Sequence, residues 1–123
     1  MTLEGTFDVA LSPQNDDNAP AGRMLIDKTY YGKMEGIGTG QMISKRLENG
    51  TAAYFAIEEF VGKINGKNGD FTLLHSGFMN ADSQSLDITI LKGSGTGELA
   101  TISGKMDITK ESDKHFYKLD YNL

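Results

Sequence analysis

The chain contains no cysteine, which excludes a disulfide framework, a thiolate nucleophile and a Cys-ligated zinc site. Histidine is scarce too. There are only two, and no carboxylates have metal-ligand spacing around them, so no dedicated metal site is expected. Positive charge is in deficit: 12 Lys and Arg against 17 Asp and Glu give a formal net charge of −5. No basic cluster exceeds the pair Lys45-Arg46. Phosphate contacts need a basic surface, so nucleic acid is not an expected partner. Long apolar runs are missing as well. The longest, Ala52–Ile57, is far too short to span a bilayer as a helix. The N-terminal MTLEGTFDVAL has no basic segment followed by a long apolar one, so it does not read as a secretory signal. A cytoplasmic location is the default expectation.

What remains is a chain of 123 residues, 38% hydrophobic and 24% charged. That is ordinary for one globular domain, here residues 1–123, large enough to bury its own core. Fifteen glycines, two prolines and many β-branched and aromatic residues point to an all-β domain. No segment sustains a helical period. Eight strands are expected: Thr2–Leu11, Arg23–Tyr31, Lys33–Lys45, Thr51–Ile64, Gly69–Met79, Gln84–Lys92, Ala100–Lys110 and His115–Asn122. Their short links favour antiparallel neighbours. A meander of that size has two exposed edges unless it closes, so a closed eight-stranded antiparallel up-and-down barrel is the expected fold. Such a barrel is filled by side chains or holds one small ligand.

Three hairpins can be put in register. Asn49-Gly50 is a type I′ signature and pairs Gln41 with Glu58. A turn at Asn65-Gly66-Lys67-Asn68 pairs Glu58 with His75. A loop at Glu111–Lys114 pairs Ile108 with Tyr117 and Met106 with Leu119 on one face. On its other face Asp107 meets Lys118 and Lys105 meets Asp120, opposite charges that mark the solvent side.

The first two registers place Gln41, Glu58 and His75 in one polar row. It lies between the row Thr39–Phe60–Leu73 and the smaller row Ile43–Ala56–Gly77. Ala56 and Gly77 leave room beside the polar groups, as in a binding pocket that is mostly apolar with a few convergent polar atoms. Glu58 and His75 could also pass a proton as an acid–base pair. A buried, satisfied pair that merely fixes strand register is the structural alternative. Phe60, Leu73, His115, Tyr117 and Tyr121 are the expected walls, although for the last three aromatic core filling is the favoured reading.

The opposite face carries Met42, Phe55, Ile57, Val61, Leu74 and Phe78 with Glu59, Lys63 and Asp70. Three charges argue that it points outward. Its apolar residues would then form an exposed patch, from which a homo-oligomer, most simply a two-fold dimer, is expected. Alternating links put the loops near 12–22, 46–50, 80–83 and 111–114 at one pole, with the long polar segment Ser12–Gly22 among them. The turns near 32, 65–68 and 93–99 fall at the other. Gly36-Ile-Gly-Thr-Gly-Gln-Met42 is echoed by Gly93-Ser-Gly-Thr-Gly-Glu-Leu99. Neither reads as a dinucleotide fingerprint, because no helix follows in a βαβ context.

Five segments taken in order carry a resemblance: Ala53-Tyr-Phe-Ala-Ile-Glu-Glu-Phe-Val-Gly62, Asn65-Gly-Lys-Asn-Gly-Asp-Phe71, Leu74-His-Ser-Gly77, Gly93-Ser-Gly-Thr-Gly-Glu-Leu99 and His115-Phe-Tyr-Lys-Leu-Asp-Tyr121. Together they resemble the bacterial domain-of-unknown-function family 3224, over nearly the whole chain. The resemblance implies a closed eight-stranded meander barrel similar to allene oxide cyclase, which isomerises an apolar fatty-acid epoxide in its barrel without a cofactor. The family's Glu and His fall on Glu58 and His75. Three functions stay open. The barrel binds a small apolar or amphipathic molecule, or it is a cofactor-independent isomerase, cyclase or lyase using Glu58 and His75, or it is a filled structural module.

Overall fold

The computed structural model describes residues 1–123. Eight antiparallel strands follow one another around a closed barrel in chain order. They are β1 (Thr2–Gln14), β2 (Gly22–Gly32), β3 (Met34–Arg46), β4 (Ala52–Ile64), β5 (Lys67–Met79), β6 (Gln84–Ile90), β7 (Ser103–Glu111) and β8 (Lys114–Asn122). A single 3-10 turn, Gly97–Leu99, interrupts the link from β6 to β7. No helix is long and apolar enough to cross a membrane. The meander barrel expected from the sequence is the observed architecture. β1 and β8 pair directly, Leu3 with Leu119 and Phe7 with His115, and remove both edges.

Turn chemistry sets the registers and corrects two of the expected ones. Asn65 and Gly66 both have positive φ, so they form the two-residue turn and Ile64 pairs with Lys67. His75 therefore lies opposite Ala56, and Glu58 opposite Leu73. A slip of two keeps both side chains on one face. At Asn49-Gly50 only the glycine has positive φ. Leu47 N–H bonds to Thr51 O at 2.7 Å and Gly50 N–H to Leu47 O at 3.1 Å, so the loop is Leu47–Thr51, between the paired Arg46 and Ala52, instead of a two-residue turn. Glu58 then pairs with Gly40, and Gln41 with Ile57. A slip of one turns the strand over. Gln41, Thr39 and Ile43 face outward and Met42 faces inward, the reverse of the expected arrangement. The third register stands, because Ser112 and Asp113 form a two-residue turn with positive φ between Glu111 and Lys114.

The core fills one half of the barrel. At the pole of the β2–β3 and β4–β5 turns, Leu3, Met34, Ile64, Phe71, Leu119 and Tyr121 are buried, and Leu99 and Ile102 of the β6–β7 link pack in beneath them. At the opposite pole the inward-facing Val9, Met24, Met42, Tyr54, Leu86 and Ile108 are only half-buried. The barrel is thus plugged at one end; at the other, the accessible end, Val9, Leu86 and Ile108 rest on the core with part of their surface exposed.

The glycine-rich link does a second job. β6 covers β5 only from Leu73 to Met79. Beyond that the link supplies side chains in place of a strand. Ser94 Oγ accepts from Thr72 N–H at 3.0 Å, Thr96 Oγ1 from Asp70 N–H at 3.1 Å and Glu98 Oε1 from Asn68 N–H at 3.1 Å. Alternate residues of the sequence echo therefore satisfy an otherwise bare strand edge. The thinnest part of the wall is the seam between β6 and β7, where only Ile88–Met106 and Thr89–Lys105 are paired.

Candidate functional site

Glu58 sits at the boundary between the plugged and accessible halves and is fully buried. An isolated buried carboxylate is costly, so its partners define the site. Lys28 Nζ donates to Oε1 at 3.0 Å, His75 Nε2 lies 2.9 Å from the same oxygen, and the Tyr30 hydroxyl donates to Oε2. Three strands contribute: Lys28 and Tyr30 from β2, Glu58 from β4 and His75 from β5. Lys28 Nζ also lies 5.0 Å from the centre of the Phe7 ring, where a cation is favoured over the π face.

Strand β3 separates Glu58 from β2, and its sequence explains how the contact is made. Gly36, Gly38 and Gly40 alternate along the inner face of Gly36-Ile-Gly-Thr-Gly40. A methyl group at Gly38 would overlap the Glu58 carboxylate, and one at Gly40 would press on the Glu58 backbone. The glycines form a window through which the carboxylate reaches Lys28 and Tyr30. This is the structural meaning of the first half of the sequence echo.

Burial alone would raise the Glu58 pKa. The hydrogen bond from His75, the charge of Lys28 and the hydrogen bond from Tyr30 together outweigh it and hold the group at about 2. Glu58 is an anion at any ordinary pH. Tyr30 is pushed the other way, well above a normal phenol, by burial first and by the Glu58 charge second.

An ionised Glu58 accepts from all three partners, so the His75 nitrogen facing it carries a proton. The other ring nitrogen, Nδ1, makes no hydrogen bond. No side-chain nitrogen or oxygen shut off from solvent lacks a partner, so Nδ1 touches solvent.

The remaining sequence candidates divide by position. Phe60 and Leu73 are buried beside and below Glu58, with Phe60 stacked at 4.9 Å on Phe71 and 5.7 Å from Tyr30. His115 is inward and half-buried at the accessible end, 5.2 Å from the Phe7 ring. Tyr117 lies deeper; its hydroxyl donates to Tyr31 O at 2.9 Å and accepts from Met34 N–H at 3.2 Å, which ties β8 to the β2–β3 turn. Tyr121 is buried near the plugged end. Gln41 is exposed on the outer wall. The space expected over Gly77 is taken by the Tyr54 ring, which a methyl group there would strike.

Lys28 and Tyr30 were not among the sequence candidates. The signal for them was a lysine at an even position in Met24-Leu-Ile-Asp-Lys-Thr-Tyr30, in phase with Met24 and Ile26. No group of three or more His, Cys, Asp or Glu side chains is arranged to hold a metal ion.

A broad concavity lies on the outer wall. A groove of about 1130 Å3 runs over the outer wall of β2 to β6, lined by Leu25, Gln41, Ile43, Phe55, Ile57 and Leu74, and the inward-facing positions Ile26, Gly40, Ala56 and His75 also border it. Ile37, Val61 and Phe78 extend its apolar surface, and Phe55 packs edge-on against Phe78 at 5.9 Å.

A small closed meander barrel with an ionised carboxylate buried at its waist is the class that fold and site define. The chain belongs to the family described as "Protein of unknown function (DUF3224)", which it matches over residues 3–121. It is similar to a crystal structure at 1.84 Å resolution of a protein of unknown function from that family in Shewanella oneidensis MR-1. The two are 37% identical, with a TM-score of 0.93, over 100% of this chain and 97% of the other. No curated protein matches the chain.

Proposed function

We propose that the accessible half of the barrel binds one small, largely apolar molecule. Val9, Met24, Met42, Leu86 and Ile108 would form the walls and the Lys28–Glu58–His75 cluster the floor. The observation that carries this reading is the cluster itself. A buried ion pair contributes little net stability over apolar residues of the same size. Three polar side chains converging on one carboxylate, at the depth where the packed core gives way to half-buried walls, fit a ligand floor better than a structural device. Met24 and Met42 have the flexible, polarisable side chains suited to walls that close around a guest.

The test is titration with an environment-sensitive apolar fluorophore. Met42→Trp, which fills the accessible half, should abolish binding, while Ile57→Ser on the outer wall should leave it unchanged. The opposite pattern would place the probe on the outer groove and defeat the proposal.

A second reading follows from the Glu58–His75 hydrogen bond, which orients an imidazole and stabilises it when it takes a second proton. In a cofactor-independent isomerase, His75 Nδ1 would take a proton from one carbon next to a carbonyl and return it to another. Glu58, held ionised, would orient His75 rather than exchange protons itself. Cyclase or lyase chemistry would begin with the same proton transfer.

The outer apolar wall is where a second copy of the chain would dock, and we keep the two-fold dimer as the proposed assembly. The proposed location remains cytoplasmic.

A further inference from the structure

We infer that His75 presents the Nδ1 lone pair to the accessible half of the barrel and makes the site selective for apolar molecules that carry a hydrogen-bond donor, such as a phenol, an alcohol or an enol. This deepens the ligand-binding reading above and rests on it.

Counting protons around Glu58 assigns the His75 tautomer. Glu58 accepts from Lys28 at 3.0 Å and from the Tyr30 hydroxyl, and an ammonium and a phenol have only protons to offer it. The 2.9 Å contact from His75 Nε2 to the same carboxylate is favourable only if Nε2 also carries a proton. In the neutral imidazole that fixes the tautomer, so Nδ1 is an acceptor. His75 is inward-facing, among Ala56, Ile88 and Glu58. Its Nδ1 has no partner within the protein and touches solvent.

The nearby charge is already used. Lys28 Nζ is bound to Glu58 and buried, so the floor offers no free cation to a carboxylate or phosphate. Charged ligands of either sign would lose hydration without gaining a counter-ion. A neutral donor meets an acceptor that otherwise has only solvent. An isostere without the donor leaves that nitrogen unpaired under apolar cover, and such a mismatch discriminates strongly.

The experiment compares three probes of one size by calorimetry: 2-naphthol, 2-methoxynaphthalene and 2-naphthoate. Wild-type protein should bind the naphthol at least about tenfold more tightly than either of the others. His75→Phe should bind the naphthol and its methyl ether equally. Nitrogen NMR on labelled His75 provides a readout that needs neither ligand nor variant. It should show a protonated Nε2 and an unprotonated Nδ1. Equal binding of naphthol and ether by the wild type, or tighter binding of naphthoate, would overturn this inference and leave the binding reading intact. Binding of none of the three would overturn both. Protonation of both ring nitrogens at neutral pH, or of Nδ1 alone, would overturn the inference whatever binds.

Discussion

Gly38 and Glu58 lie one strand apart, and the carboxylate occupies the space where a Gly38 side chain would be. The glycine is what lets a residue on β4 bond to Lys28 and Tyr30 on β2. Gly38→Ala should therefore expel Glu58 from the cluster and strand Lys28 in the barrel wall. The expected loss is about 2–4 kcal/mol, combining overpacking with an uncompensated buried charge, measured by urea unfolding. Gly50→Ala is the control; nothing lies within 4 Å of its site, and only the strain of its positive φ is added.

Glu58→Gln should cost about 3–5 kcal/mol, because it removes the only anion bonded to a buried ammonium. Adding Lys28→Met should recover at least half of that loss, since both charges are then gone. Non-additivity in this double-mutant cycle, read from denaturation midpoints, measures the coupling.

The same coupling gives an acid limb to stability. The folded pKa of Glu58 is about 2, against an ordinary value of 4.5. A depressed carboxylate contributes stability that is complete above its unfolded pKa and is lost as pH falls through its folded one. The window is therefore about pH 4.5 down to 2, and the contribution at neutral pH is about 3 kcal/mol. Thermal unfolding across that range should be steep in the wild type and distinctly flatter in Glu58→Gln.

On the outer wall, Phe55, Ile57 and Val61 are each about half exposed, at 47%, 57% and 56%. Exposed apolar side chains in a continuous strip favour association. Sedimentation of the wild type should give twice the monomer mass, and Ile57→Asp should give a folded monomer with its fluorophore binding retained. A monomeric wild type would remove the dimer and leave the barrel site untouched.

The seam between β6 and β7 holds two paired positions, so it is the natural place for the wall to open. Hydrogen exchange should be fastest, among barrel strands, along β6 from Gln84 to Ile90. Uniform protection around the barrel would contradict this.

Much of the architecture was legible because turn residues and alternation agree with each other. The C-terminal hairpin is the clearest case: charge pairs on one face and apolar pairs on the other allow one register only. The Asn-Gly pairs were harder. Both dipeptides favour positive φ, but only Asn65-Gly66 adopts it at both positions; at Asn49-Gly50 the loop takes in Leu47 and Thr51. The dipeptide alone does not reveal loop length, and a register shift of one residue sent Gln41 out and Met42 in. Glu58 and His75 survived a slip of two because that error preserves face. Lys28 was missed because a lysine in a strand is usually solvated, and its burial depends on a glycine window in the neighbouring strand β3, whose Gly-x-Gly-x-Gly pattern does not by itself say which side chains meet across it.

An apolar guest is expected inside the barrel and not on its outer wall. The most direct measurement is a crystal structure of the protein saturated with 2-naphthol. The expected result is the ring between Val9, Met42 and Leu86 with its hydroxyl on His75 Nδ1. A ring lying on the outer wall against Phe55 and Ile57, with the accessible half of the barrel empty of it, would contradict the account.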